Sequence, residues 1–135
     1  MLEHEAESLF ILVVDDNPDD LYLIRRDLLA LGHRVAGVST AVEALDHIAQ
    51  AYPDVLMTDV GLPGMDGIEL LKMVRARTDG SWIPSLVFTG SLDEATQMRA
   101  LEAGADAYLC KPASREMLHA KLGVILRLRG CSQNK

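Results

Sequence analysis

The feature that most constrains this chain is a fivefold alternation of short apolar runs with amphipathic stretches. The runs "LFILVV" (Leu9–Val14), "VAGV" (Val35–Val38), "DVLMTDV" (Asp54–Val60), "SLVFTG" (Ser85–Gly90) and "AYLCK" (Ala107–Lys111) read as five strands. The unbroken apolar character of the first, third and fourth implies burial on both faces, as a parallel sheet requires. Between them run helical patterns. Leu21, Ile24, Leu28 and Leu31 form one stripe, closed by Gly32; Val42, Leu45, Ile48 and Ala49 form the next, with Ser39 or Thr40 as its cap. Ile68, Leu71 and Val74 follow, with Asp66 as cap. Ala95, Met98, Leu101 and Ala105 come after the caps Ser91 or Asp93, and Met117, Leu118, Leu122, Ile125 and Leu126 after Ser114. Strand and helix repeated in this way predict an α/β fold, doubly wound with right-handed crossovers.

A chain of 135 residues suits one domain with a real core. We expect that domain to span residues 8–129, with flexible tails at 1–7 and 130–135. The formal net charge of -7 and the scattered Lys and Arg argue against a nucleic-acid face. Cys110 and Cys131 lie too far apart for a metal knuckle. Cys110 reads as a small core residue of its strand and Cys131 as exposed. His4, His33, His47 and His119 show no ligand spacing and read as solvated or capping groups. The opening "MLEHEAES" lacks the pattern of a secretory signal, and no run approaches the length of a membrane span, so a cytoplasmic location is expected.

Ligands of an open parallel sheet sit beyond the carboxyl ends of its strands. The first strand ends in Asp15-Asp16, the third in Asp59, the fourth in Thr89 and the fifth in Lys111-Pro112. Singly, each has a plainer role. Asp16 or Asn17 caps the first helix, with Pro18 as its first residue; Thr89 is a β-former and Lys111 a solvated charge. Together, three crowded carboxylates repel unless something neutralises them. With Lys111 they carry a formal charge of -2, which one divalent cation cancels. Hard oxygen donors supplied in small number suit Mg²⁺. A carboxylate beside Mg²⁺, a lysine and a hydroxyl suits attack on a phosphoryl group.

The stretches "VVDDNPDD", "LMTDVGLPGMDGIELL", "LVFTG" and "ALEAGADAYLCKP" resemble the receiver domain of two-component response regulators, in the same order and spacing over Phe10 to Leu128. The resemblance implies a flavodoxin-like fold of strand order 2-1-3-4-5. It implies that Asp59 accepts a phosphoryl group from a histidine of a sensor kinase or a histidine phosphotransfer protein. Asp16 and Asp59 would ligate Mg²⁺ directly, Asp15 through water and Gly61 through its carbonyl. Thr89 and Lys111 would contact phosphoryl oxygens, and the Lys111–Pro112 bond would be cis. Tyr108 matches an aromatic that turns as Thr89 moves. The implied output is a shift of the surface made by the fourth helix, fifth strand and fifth helix, through which a homodimer would also form. Two small residues, Gly61 and Ser91, leave attacking water unobstructed and imply a modest barrier to loss of the phosphoryl group. Ala113 stands where many DNA-binding relatives carry Phe, which leans away from that subfamily.

A Mg²⁺-dependent phosphohydrolase with an aspartyl nucleophile is the alternative. It wants a second acid two residues after the nucleophile, and Gly61 stands there. A binding switch rather than an enzyme is therefore the expected function. A nucleotide-binding fold wants a Gly- or Ser/Thr-rich phosphate loop after the first strand, and "DDNPDD" is its electrostatic opposite.

Overall fold

The computed structural model describes residues 8–77, 83–90 and 93–133, with side chains of the last helix described through Arg127. The elements in chain order are β1 (Phe10–Val14), α1 (Pro18–Ala30), β2 (Arg34–Val38), α2 (Ala41–Gln50), β3 (Val55–Thr58), α3 (Gly67–Arg75), β4 (Ser85–Thr89), α4 (Glu94–Glu102), β5 (Ala107–Cys110) and α5 (Arg115–Gln133). The strands form one parallel sheet of order β2-β1-β3-β4-β5. This is the doubly wound arrangement expected from the alternation, with the flavodoxin-like strand order that the receiver resemblance implied. Among the described residues, no helix is long and apolar enough to cross a membrane.

Side chains of a strand alternate between the two faces of a sheet. Leu12 and Val14 of β1 accordingly join a core with Ala44, Ile48, Leu71 and Val74 from α2 and α3. Ile11 and Val13 join the opposite core, with Leu28 of α1 and Leu118, Leu122 and Ile125 of α5. Burial on both faces explains the unbroken apolar run.

Helix starts follow side-chain chemistry. Asn17, not Asp16, caps α1: its side chain accepts from the backbone N–H groups of Asp19 and Asp20, with Pro18 next in line. Thr40 and Asp66 each form a capping box, with Glu43 and Glu69 respectively. Asp93 caps α4, while Ser91 lies outside the described residues. The Ser114 hydroxyl accepts from the Met117 N–H at the start of α5. At the end of α1, Gly32 adopts φ +96° and donates to Leu29 O while His33 donates to Leu28 O. These two bonds are a Schellman closure, which needs the left-handed conformation glycine tolerates.

Several expectations need correction. Met98 and Leu101 of α4 are exposed, and the buried residue of that helix is Ala100. A 3.6-residue stripe marks a shared face without saying which way it points. Val42 and Met117 are likewise exposed. Cys110 is exposed because β5 is an edge strand, although its sequence neighbours are apolar; the side chain of Cys131 lies outside those described. His33 is buried rather than solvated, and its Nδ1 accepts from the Leu9 N–H at 3.1 Å. The last helix runs to Gln133.

Candidate functional site: an acidic cleft closed by Lys111

The ends of β1, β3, β4 and β5 place Asp15, Asp59, Thr89 and Lys111 on one edge of the sheet. Backbone pairing carries each strand one residue further. Asp15 N–H donates to Val38 O, Asp59 N–H to Val14 O and Lys111 N–H to Thr89 O, all at 3.0 Å. The acids are thus held by the sheet rather than by free loops.

Lys111 is the hub. Its Nζ donates to Asp15 Oδ2 at 2.8 Å, Asp20 Oδ2 at 2.9 Å and Asp59 Oδ2 at 3.0 Å, and it lies 5.0 Å above the centre of the Phe88 ring. Burial alone would lower the Lys111 pKa. The hydrogen bonds to Asp15, Asp20 and Asp59 outweigh it and hold the ammonium above the usual lysine range. Asp15 is wholly buried, and burial raises its carboxyl pKa against the opposing pull of Lys111 and the Asn17 N–H.

Asp59 is mostly buried. Its Oδ1 accepts from the Val60 N–H at 2.7 Å, and its backbone carbonyl accepts from the Thr58 hydroxyl at 2.9 Å. Gly67, the first residue of α3, packs directly on that carbonyl. A Cβ at position 67 would collide with Asp59 O, so only glycine allows α3 to start this close to the site. Gly61, by contrast, is exposed, with nothing near where its Cβ would stand.

Asp15, Asp16 and Asp59 each offer a carboxylate oxygen, and these lie within 4.8 Å of one another. With Asp20 counted, four carboxylates share the cleft with one ammonium, three of them bonded to it, and leave a formal charge of -3. A hard dication fits this donor set: the ligands are oxygens, exposed Asp16 leaves room for water, and buried Asp15 lacks full compensation.

Thr89 is buried at the end of β4. On β5, opposite Val87, Tyr108 is partly buried against the α2–α3 core. Its hydroxyl is buried with no hydrogen-bond partner among the described residues, and burial followed by the charge of Asp93 raises its pKa. The Lys111–Pro112 peptide is cis. Beside the site, a groove of about 420 Å³ runs between α1 and the loop that follows β5, lined by Leu23, Ile24, Phe88, Pro112 and Ala113 among others.

Asp20 is the residue that sequence reasoning missed. It reads as an ordinary acid in a first helical turn, and only its place three residues after the Asn17 cap hints that it faces the strand ends. A second unexpected group sits at the far edge of the sheet. Arg75 donates to Ile83 O at 2.6 Å, to Gly104 O at 2.8 Å and to Asp106 Oδ2 at 2.8 Å, tying α3 to the entries of β4 and β5.

A parallel sheet with an acid-and-lysine cleft at its carboxyl edge is the architecture of a receiver. The model of the response regulator receiver domain matches residues 11–123, and the chain belongs to that family. It is 40% identical over 120 residues to the response regulator MprA of Mycobacterium bovis, a match covering 89% of this chain and 51% of that one. The chain thus spans about half the length of the curated relatives it matches. Among solved structures it resembles the chemotaxis response regulator CheY4 of Vibrio cholerae, with 28% identity, a TM-score of 0.81 and coverage of 88% and 99% of the two chains. It also resembles the receiver domain of a sensor histidine kinase of Pseudomonas aeruginosa (29% identity, TM-score 0.79, coverage 90% and 97%), whose active-site cleft coordinates a magnesium ion.

Proposed function

We propose that the domain, residues 8–129, is a phosphorylation-controlled switch of a two-component phosphorelay, with Asp59 as the phosphoacceptor. The observation that carries this reading is Lys111 Nζ donating at once to Asp59 and Asp15, in a cleft where three carboxylates converge. A carboxylate oxygen of Asp59 attacks the phosphorus of a phosphohistidine on a sensor kinase or phosphotransfer protein. The P–N bond breaks, its electron pair stays on the imidazole nitrogen, and that nitrogen takes a proton from solvent. The product is an aspartyl phosphate. Asp16, Asp59 and the Gly61 carbonyl would hold Mg²⁺, with Asp15 acting through water, and the ion when bound would neutralise charge on the transferring group. Lys111 and the Thr89 hydroxyl bind phosphoryl oxygens, fixing the group in place.

The output is a shift of the α4–β5–α5 surface, to which a downstream partner, an output domain or a second copy responds. Two features support this. Met98, Leu101 and Met117 are exposed there, and the Tyr108 hydroxyl, buried without a hydrogen-bond partner among the described residues, suits a ring with two positions. The apolar groove beside Asp20 and Lys111 gives the phosphodonor a surface to dock on. The reading places the switch in the cytoplasm and gives it no direct nucleic-acid contact.

Incubation with Mg²⁺ and acetyl phosphate tests it. The expected result is stoichiometric, base-labile phosphate that disappears in Asp59→Asn and on chelation of the metal. Labelling that persists in either case contradicts the reading.

A further inference from the structure

Resting on the phosphoacceptor reading above, we infer that Asp20 is a positioning residue that holds Lys111 in the resting site and competes with the incoming phosphoryl group for it. An ammonium has three N–H donors. All three are taken here, by Asp15, Asp20 and Asp59 at 2.8, 2.9 and 3.0 Å. A phosphoryl oxygen arriving at Asp59 finds no free donor on Lys111 until one of these bonds opens.

The exposures decide which one. The side chain of Asp15 is 0% exposed, that of Asp59 13% and that of Asp20 38%. Opening the Asp15 bond strands a buried carboxylate, which is costly. Asp59 carries the phosphoryl group and stays beside Lys111. Water can replace the bond to Asp20, so that bond gives way. Asp20 therefore stabilises the resting state more than the phosphorylated one, and it slows the transfer.

A plainer role for Asp20 is that of an acid favouring the start of α1. Asp19 provides the control. It shares that first turn and that charge, yet among the described contacts Lys111 meets Asp20 and not Asp19.

The test compares Asp20→Asn with Asp19→Asn, which remove the same charge from adjacent positions. The first readout is the rate of phosphorylation by acetyl phosphate at saturating Mg²⁺. The second is solvent exchange of the Lys111 ammonium protons, followed by ¹⁵N NMR. Asp20→Asn is expected to accelerate phosphorylation by about three- to tenfold and to speed the ammonium exchange. Asp19→Asn should leave both near the parent values. Equal effects of the two variants would overturn the inference, because helix-end charge then accounts for them. A change in only one of the two readouts for Asp20→Asn would also overturn it. A parent protein that takes no phosphoryl group at all rejects the phosphoacceptor reading, and the competition falls with it.

Discussion

Lys111 and Asp15 stand 96 positions apart in the chain and 2.8 Å apart in the fold. The strand order makes that meeting possible: β1 lies near the middle of the sheet and β5 at its edge, and Lys111 reaches inward across the mouths of β3 and β4. Removing the ammonium leaves a buried carboxylate without its counter-charge. Lys111→Met should therefore lower stability by about 3 kcal/mol in the absence of metal, measured by urea unfolding. Adding Asp15→Asn to Lys111→Met should restore most of the loss. A Lys111→Met protein as stable as the parent contradicts this account of the cleft.

The contact between Gly67 and the Asp59 carbonyl makes a second prediction. Gly67→Ala forces the start of α3 away from the site and should cost about 1–3 kcal/mol. Gly61→Ala meets open space and should leave the thermal midpoint nearly unchanged. Calorimetry of the two variants side by side decides the matter. Similar midpoints for both would show that α3 is free to shift.

The Arg75 cluster is structural in this account. Its guanidinium, with a side chain 20% exposed, joins two backbone carbonyls to the Asp106 carboxylate, which in turn accepts from the Ser85 N–H at 2.9 Å. Arg75→Met leaves these acceptors partly unsatisfied and should cost about 2–4 kcal/mol. Arg75→Lys should fall between, since an ammonium cannot reproduce the planar fork. Phosphorylation of Asp59 should survive both changes, because the cluster lies at the opposite edge of the sheet.

The capping box of α2 predicts a local pH dependence. Hydrogen bonds from Ser39, then from Thr40, lower the Glu43 pKa below its ordinary value. A depressed carboxyl contributes stability that is present above its unfolded pKa and is lost as pH falls through the folded one. Amide exchange in the first turn of α2 should therefore quicken as pH drops below the ordinary glutamate range, relative to the intrinsic rate. Glu43→Gln should abolish that dependence. A Glu43 carboxyl titrating at or above the ordinary value in ¹³C NMR would contradict it.

Much of this was legible in the sequence, and the exceptions share a cause. Asp59, Asp15 and Lys111 were readable because each ends an apolar run, and parallel pairing puts such ends on one edge. The caps at Thr40, Asp66 and Asp93 were readable because capping is local. Orientation was not. Met98, Leu101 and Val42 lie on helical stripes, yet a stripe is silent about whether it faces the sheet or solvent. Cys110 sits among apolar neighbours, but whether β5 is central or at the edge depends on strand order, which periodicity does not encode. Asp20 and Arg75 take their roles from partners 91 and 31 positions away, and nothing in their own neighbourhoods announces those contacts.

On the proposed reading, one carboxylate among four receives the phosphoryl group. Borohydride reduces an aspartyl phosphate to homoserine, marking the acceptor in the chain itself. After incubation with acetyl phosphate and Mg²⁺, reduction and peptide mass spectrometry should find homoserine at position 59 alone. Homoserine at position 15, 16 or 20, or none at any of the four, would contradict the account.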